Sequence, residues 1–426
     1  MLEPEPAPPE CAPRPLQYTC TPAWRWVFEP ALQTPATVRQ SELVSQCRGG
    51  RAAGKSASRR FAWARIERGG RSAWFTSGAL ERLRDKDLLA AELQLGGVGH
   101  LAPPTVSFSW DATELEPDGW ARLAAGGADV EACWGADDGT GRRGGLVLKP
   151  AGGAKGTAIG FVRTVEEAMA LVSAQATAVR RPTGGLGGGT LLDEIVSWQG
   201  RLPAWVLQPE VRPAVLQLAG GRKYHLRAFV CVRGSALFGY DGFEVRTAAE
   251  PWRPGGPAEA QLTNGSAGGC ECQRYLVDEL PELLAAGLPA RLASFITELF
   301  AGLQPRMFPG PGLGESEEEN RSRRAKRCGE GGDGGGEDYV EMALAAVDVL
   351  LGAPTAEQDG ELGRLWLLEI NGRNPGCPAA GAVSPRFGRH LMKFARGIVS
   401  LALMPAGQDK EEAALVGSGF SRIGKV

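Results

Sequence analysis

The segment Leu365-Trp366-Leu367-Leu368-Glu369-Ile370-Asn371 is an apolar run that ends on a carboxylate and an amide. Its length and bulky apolar content predict a β-strand. Residues two apart in a strand share a face, so Glu369 and Asn371 project to one side and Ile370 points into the core. Upstream, residues 343–351 form a second apolar run, interrupted by Asp348. A carboxylate in each of two neighbouring apolar strands is costly unless a cation compensates both. Oxygen donors without His or Cys suit a hard ion, and Mg²⁺ takes one or two carboxylates together with substrate phosphates. Asp348, Glu369 and Asn371 are therefore candidate metal ligands. The competing reading is a pair of strand-end carboxylates facing water, which the mid-run position of Asp348 disfavours.

Working back along the chain, Gly221-Arg222-Lys223-Tyr224-His225-Leu226-Arg227-Ala228-Phe229-Val230 is another predicted strand. Lys223, His225 and Arg227 share one face, and Tyr224, Leu226 and Ala228 the other. Like charges stacked on one strand face are unfavourable unless anions meet them. A phosphate or carboxylate partner explains this pattern better than a solvated sheet face. Arg246, after the next hairpin, is placed to join them.

Two further segments are weaker alone. At Leu148-Lys149-Pro150 a lysine ends an apolar strand, and a small-residue loop with Lys155 and Gly156 follows. Backbone amides and lysines in such a loop suit phosphates, and a hairpin with a solvated lysine is the alternative. At Trp205-Val206-Leu207-Gln208-Pro209-Glu210-Val211 an apolar strand runs into a proline break. Backbone freed there can pair with an adenine edge, although a plain strand end is the simpler reading.

The chain has 426 residues, too many for one ordinary core, and two or three subdomains are expected. A net charge of −2 supplies no basic field, so no nucleic-acid partner is expected. No stretch approaches the ~18 apolar residues of a membrane span, so no membrane partner is expected either. Only three His occur, and the nine Cys lack zinc-ligand spacing; Cys270 and Cys272 form an isolated pair. The first residues lack a positive n-region and an apolar h-region, which points to a cytoplasmic protein. Only nine of the 47 basic residues are Lys, so each lysine in a motif carries slightly more information.

Composition divides the chain into an irregular extension at 1–60, an N-terminal region at 61–140, a main domain at 141–405 and a tail at 406–426. Within these, 1–15 and an insertion at about 315–338 are expected to be disordered, and 183–189 is a Gly-rich loop. Strands are predicted over 61–66, 73–76, 205–211, 224–233, 236–240, 339–351 and 365–370. Helices are predicted over 77–95, 165–180, 277–304 and 384–404, the last closing the ordered part. Alternating strands and helices with long antiparallel-looking strand pairs give an α+β fold class.

Taken in order over roughly 140–400, these motifs resemble the tubulin–tyrosine ligase family, a branch of the ATP-grasp superfamily. The likeness rests on the lysine loop, the Trp205-Val206-Leu207-Gln208 hinge, the 221–227 strand, Glu244-Val245-Arg246-Thr247, Leu262-Thr263-Asn264 and the 367–375 segment. The resemblance implies an ATP-grasp fold, two α+β subdomains gripping ATP. It also implies an ATP- and Mg²⁺-dependent ligase that joins an amino acid to a protein carboxylate, on tubulin or another protein, through an acyl phosphate. By position, Lys149, Lys155 and Gly156 would bind phosphates, and Gln208 and Val211 the adenine. Lys223, Arg227 and Arg246 would sit near the γ-phosphate and acceptor carboxylate, with His225 in the nucleotide site and Asp348, Glu369 and Asn371 on Mg²⁺. A cytoskeleton-associated location accompanies that reading. Members often carry Asp where His225 stands, and a lysine and an aromatic where Pro209 and Glu210 stand. The alternatives are an ATP-grasp ligase joining small molecules and a non-catalytic nucleotide- or cytoskeleton-binding module.

Overall fold

The computed structural model describes residues 17–20, 62–68, 71–76, 80, 82–109, 145–152, 158–180, 204–217, 220–233, 236–263, 273–307, 338–354, 362–372, 385–404, 415 and 419–425. The expected disordered segment at 1–15, the loop at 183–189, nearly all of the 315–338 insertion, Lys155, Gly156 and Asn264 lie outside these residues.

In chain order the strands are β1 Gln17–Cys20, β2 Ala62–Arg68, β3 Arg71–Thr76, β4 Val106–Ser109, β5 Leu146–Pro150, β6 Gly160–Val162, β7 Ala204–Pro209 and β8 Val215–Leu216. They continue as β9 Arg222–Arg233, β10 Ala236–Tyr240, β11 Glu244–Pro251, β12 Arg274–Leu276, β13 Asp338–Leu351, β14 Leu365–Asn371 and β15 Phe420–Lys425. The helices are α1 Lys86–Leu95, α2 Val165–Arg180, α3 Ala258–Gln261, α4 Pro281–Ala285, α5 Leu288–Met307 and α6 Pro385–Leu403. The result is a mixed α+β structure with two largely antiparallel sheets, one of eleven strands and one of four among the described residues.

The large sheet is built on β13 and β9, which run antiparallel from Met342↔Arg233 to Leu350↔His225. One face of this pair carries Leu226, Ala228, Val230, Val347 and Val349, and it packs under α5 through Leu292, Phe295, Ile296, Leu299 and Phe300. The 288, 292, 295, 296, 299, 303 spacing of α5 is the helical period that the sequence shows. The opposite face carries Phe229, Cys231, Met342, Leu344 and Ala346 and packs under α6 through Phe394, Ala395 and Ile398. The apolar content of that second face stops at Asp348. From there on, Asp348 of β13 and Arg227, His225 and Lys223 of β9 put charged and polar groups on the same face beside a small apolar cluster of Leu350 and Trp366, and the site begins.

The small sheet has the order β4-β7-β5-β6. Phe108, Leu146, Leu148, Val162, Trp205 and Leu207 fill the face covered by Ala168 and Val172 of α2. By alternation, Val147, Lys149, Val206, Gln208 and Phe161 project from its other face.

Besides the short elements β4, β8, β12 and α3, which are not among those expected, three differences move a boundary. The helix expected over 77–95 begins at Lys86, preceded by a 3₁₀ turn at Arg82–Arg84. Gln17–Cys20, in the segment read as irregular, pairs with β2. Phe420–Lys425, in the segment read as a tail beyond the last ordered helix, pairs with β10. The last two are short strands specified by distant partners, which local composition does not report.

α1 is held close to α5. A Cβ on Gly96 would lie 2.5 Å from the Gly302 carbonyl oxygen, and one on Gly302 would lie 2.6 Å from the Val98 side chain. The obstacle at Gly96 is backbone, which cannot swing aside. Gly96→Ala is expected to destabilise the protein by about 1–3 kcal/mol, the usual cost of overpacking. Urea unfolding measures this, and a midpoint equal to that of the wild type would contradict the packing described.

Candidate functional site

The site lies between the outward face of the small sheet and the charged end of the large one. On the large sheet, Glu369, Asp348, Arg227 and Glu244 form one row across β14, β13, β9 and β11, in register Glu369↔Asp348↔Arg227↔Glu244. Asp348 is 2% exposed. Arg227 grips it with Nε to Oδ1 at 2.6 Å and Nη2 to Oδ2 at 2.5 Å, the two-point fork that only arginine offers. Burial would raise the Asp348 carboxyl, but the charge and hydrogen bonds of Arg227 outweigh it and hold the group below its ordinary range. The Asn371 amide donates to Glu369 at 3.0 Å and to Asp348 at 3.4 Å, so all three candidate metal ligands meet at one point.

A β-bulge makes this possible. Leu365 and Leu367 face the core under α5, and an unbroken strand would send Glu369 there too. The pairing skips Leu368: Val349 faces Leu367 while Asp348 faces Glu369. One extra residue returns Ile370 to the core and turns Glu369 and Asn371 toward Asp348, the re-aiming that bulges perform.

In the next row, His225 is opposite Arg246. The His225 ring is 2% exposed, with Nδ1 2.6 Å from the Thr263 hydroxyl. Its Nε2 is buried without a hydrogen-bond partner among the described residues and lies 3.8 Å from Asp348 Oδ1. Burial, then Arg246 and Arg227, keep its pKa well below the usual imidazole value, so the ring is neutral. Arg246 is clamped by Glu244 through Nε at 2.8 Å and Nη2 at 2.6 Å. Both arginines are thus held by two nitrogens.

On the small-sheet side, Lys149 donates to Gln208 Oε1 at 2.8 Å, Gln208 Nε2 donates to Thr105 Oγ1 at 2.8 Å, and Thr105 donates to the Pro103 carbonyl at 2.9 Å. Gln208, expected at the adenine, is bonded to Lys149 and Thr105 in this structure. Lys223 crosses from β9 to lie 5.8 Å from the Phe161 ring centroid, so the two sheets meet across the cleft. Burial, then Lys86 and Lys223, pull the Lys149 ammonium down to about 7, against the opposing charge of Glu369. Burial also lowers Lys86 and Lys223. Val211, two residues past the end of β7, is buried with Leu350 and Trp366.

Sequence reasoning missed Lys86. It is the first residue of α1, its amide donates to the Ala151 carbonyl at 3.0 Å, and Glu369 and Lys149 both act on it or through it electrostatically. The available signal was a lysine within the charged run Arg84-Asp85-Lys86-Asp87, in a chain with few lysines. Glu244 and Thr105 were also missed. Thr105 is held by a bond from Gln208, more than a hundred positions away, whereas Glu244 pairs with Arg246 two residues on along the same strand.

No protein-family model matches this chain, and no curated protein sequence matches it. Among solved structures, the chain is similar to the C-terminal domain of K. lactis Pby1, described as an ATP-grasp enzyme interacting with the mRNA decapping enzyme Dcp2. Identity is 14%, the match covers 80% of this chain and 79% of that one, and the TM-score is 0.44.

Proposed function

We propose that the cleft binds a Mg²⁺–nucleoside triphosphate and that the protein is an ATP-dependent carboxylate–amine ligase of the ATP-grasp type. The observation that carries this is the opposition of charge across the cleft. Lys86, Lys149 and Lys223 converge with lowered pKa values, facing the Asp348–Glu369–Asn371 cluster. Partly buried lysines that repel one another call for a polyanion, which a triphosphate supplies.

Two carboxylates in register and one amide bring oxygen donors together, a set that suits a hard ion although no group of three or more His, Cys, Asp or Glu gathers among the described residues. Asp348, Glu369 and Asn371 would hold Mg²⁺, which when bound neutralises phosphate charge. The lysines orient the triphosphate. Arg227 and Arg246, each pinned through Nε and one terminal nitrogen, present a fixed positive edge to the γ-phosphate and the acceptor carboxylate. An acceptor carboxylate oxygen attacks the γ-phosphorus and ADP leaves; an amine then attacks the acyl carbon, and phosphate leaves as the amine gives up a proton. The work falls on positioning and charge stabilisation, and no protein nucleophile is required. The substrates proposed are an amino acid and a protein acceptor, tubulin or another protein.

Incubation with ATP, Mg²⁺, cell extract and a panel of radiolabelled amino acids tests this. Label in protein supports the reading. Label confined to low-mass product replaces it with a small-molecule ligase, and nucleotide binding without turnover replaces it with a binding module.

Proton linkage gives a second test. A bound triphosphate raises the Lys149 pKa from about 7, so binding takes up protons. Affinity is full below about pH 7 and is lost as pH rises toward the bound-state value, by about tenfold per unit. Calorimetry with Mg²⁺–ATP in buffers of different ionisation enthalpy is expected to show about half a proton taken up at pH 7 and nearly one at pH 8. Zero uptake at both would remove Lys149 from the phosphate site.

A further inference from the structure

A relay of three hydrogen bonds crosses the cleft face of the small sheet. Thr105 stands one residue before β4, and the β4–β7 register, with Val106↔Leu207, places it beside Gln208. On the other side of Gln208 is β5, where Lys149 lies two residues along from the Gln208 partner Val147 and so shares its face. Lys149 Nζ donates to Gln208 Oε1 at 2.8 Å, Gln208 Nε2 donates to Thr105 Oγ1 at 2.8 Å, and the Thr105 hydroxyl donates to the Pro103 carbonyl at 2.9 Å. Gln208 and Pro103 are buried. The direction of the relay is set from its far end. A backbone carbonyl only accepts, so the Thr105 proton is committed to Pro103 and the Thr105 oxygen accepts from Gln208. The Gln208 amide must then turn its NH₂ toward Thr105 and its oxygen toward Lys149. Pro103 and Pro104 each have a fixed φ, so the carbonyl that anchors the relay does not swing.

We infer that Thr105 is a positioning residue for the proposed reaction: it fixes Gln208 as an acceptor and thereby holds the Lys149 ammonium on the cleft face. This rests on the nucleotide reading above and adds to it a residue that acts only through others. The charged groups that face Lys149 are Lys86 of α1, Lys223 of β9 and Glu369 of β14. Burial and the two lysines disfavour its charge, and Glu369 favours it. An amide oxygen also favours the charged form, because an ammonium has only protons to offer. An amide free to turn offers its NH₂ instead, which favours the neutral amine. The Thr105 hydroxyl removes that choice.

Calorimetry of Mg²⁺–ATP binding to the wild type, Thr105→Val and Thr105→Ser at pH 5, 7 and 8 tests this. Valine keeps the shape of threonine and deletes the hydroxyl. The affinity of Thr105→Val is expected to fall about three- to tenfold at pH 8, the worth of one hydrogen bond. It is expected to approach the wild-type value at pH 5, where acid restores the lysine charge. Proton uptake at pH 7 is expected to rise from about half toward one, since a lower free-state pKa leaves more of Lys149 to be charged on binding. Thr105→Ser keeps the relay and is expected to stay within about twofold of the wild type at each pH. Gln208→Glu supplies an acceptor that needs no Thr105, and its uptake at pH 7 is expected to fall toward zero; it carries the test if Thr105→Val does not fold. A loss of affinity in Thr105→Val that is equal at every pH, with uptake unchanged, means that Thr105 serves packing alone and overturns the inference. So does an uptake in Gln208→Glu that stays at about half. In either case the nucleotide reading stands, whereas a wild type that binds no triphosphate removes both.

Discussion

Arg227→Ala is expected to lower the folding free energy by about 3–5 kcal/mol, the cost of stranding one member of a buried ion pair. Asp348 is 3% exposed as a side chain, and both its oxygens are satisfied by the Arg227 fork. Without Arg227, Asp348 keeps one bond from Asn371 at 3.4 Å, a neutral imidazole 3.8 Å away and the weaker pull of Arg246, which do not replace a two-point ion pair. Its carboxyl then rises, because burial already pushes upward and the main opposing influence is gone. The sign in pH follows. With Arg227 present, the depressed Asp348 pKa contributes stability above the unfolded carboxylate value, and this is lost as pH falls through the folded value. In Arg227→Ala most of that contribution is gone, so the mutant is expected to lose less stability on acidification than the wild type. Arg227→Lys is expected to recover only part of the loss, since an ammonium cannot take both oxygens in one plane. Arg227→Ala with Asp348→Ala is expected to be more stable than Arg227→Ala alone. Urea unfolding at pH 5 and pH 7 provides the measurement. A single mutant within about 0.5 kcal/mol of the wild type, the range of an ordinary surface change, would mean the pair is not the buried contact described.

The site was readable to the extent that it depends on alternation. Lys223, His225 and Arg227 stand on one face of β9 because the period of a strand is two, and Tyr224, Leu226 and Ala228 fill the core on the other. Asp348 stands out because it continues the parity of Met342, Leu344 and Ala346 into a place where α6 no longer covers the sheet. Alternation is also where the reading ran out. In β14 the odd-numbered leucines face the core and so does Ile370, which no unbroken strand allows. A one-residue slip reverses every side chain, and Leu368 does not announce that it is the extra residue. Lys86 escaped because its place depends on α1 meeting the turn after β5, a contact between segments more than sixty positions apart. The partners of Arg227 and Arg246 escaped in different ways. The metal-ligand reading of Asp348 does not reveal its pairing with Arg227, and Glu244 carries no signal of its own although it stands two residues from Arg246 on the same face.

Glu369→Gln tests the centre of the proposed function. The substitution keeps shape and removes one negative charge from the residue that faces Lys86, Lys149, His225 and Arg227. Mg²⁺-dependent turnover is expected to fall by on the order of 10²–10³-fold, the range seen when one charge-stabilising group is lost at a transition state. Full activity would remove Glu369 from the metal site. A second consequence needs no turnover. Glu369 is the carboxylate that supports the Lys149 ammonium against burial and its lysine neighbours. With an amide in its place, the free-state Lys149 pKa drops further below about 7, and more of the lysine is neutral before nucleotide arrives. Proton uptake on Mg²⁺–ATP binding at pH 7 is therefore expected to rise from about half toward one per nucleotide, and the affinity–pH profile to move to lower pH. Loss of turnover with unchanged proton uptake would separate the metal from the lysines and break the link that Glu369 is proposed to make between the two faces of the cleft. A change in both is the result that a triphosphate bound between the two faces predicts, because Glu369 acts on Lys149 in the free protein and on the proposed metal in the bound one.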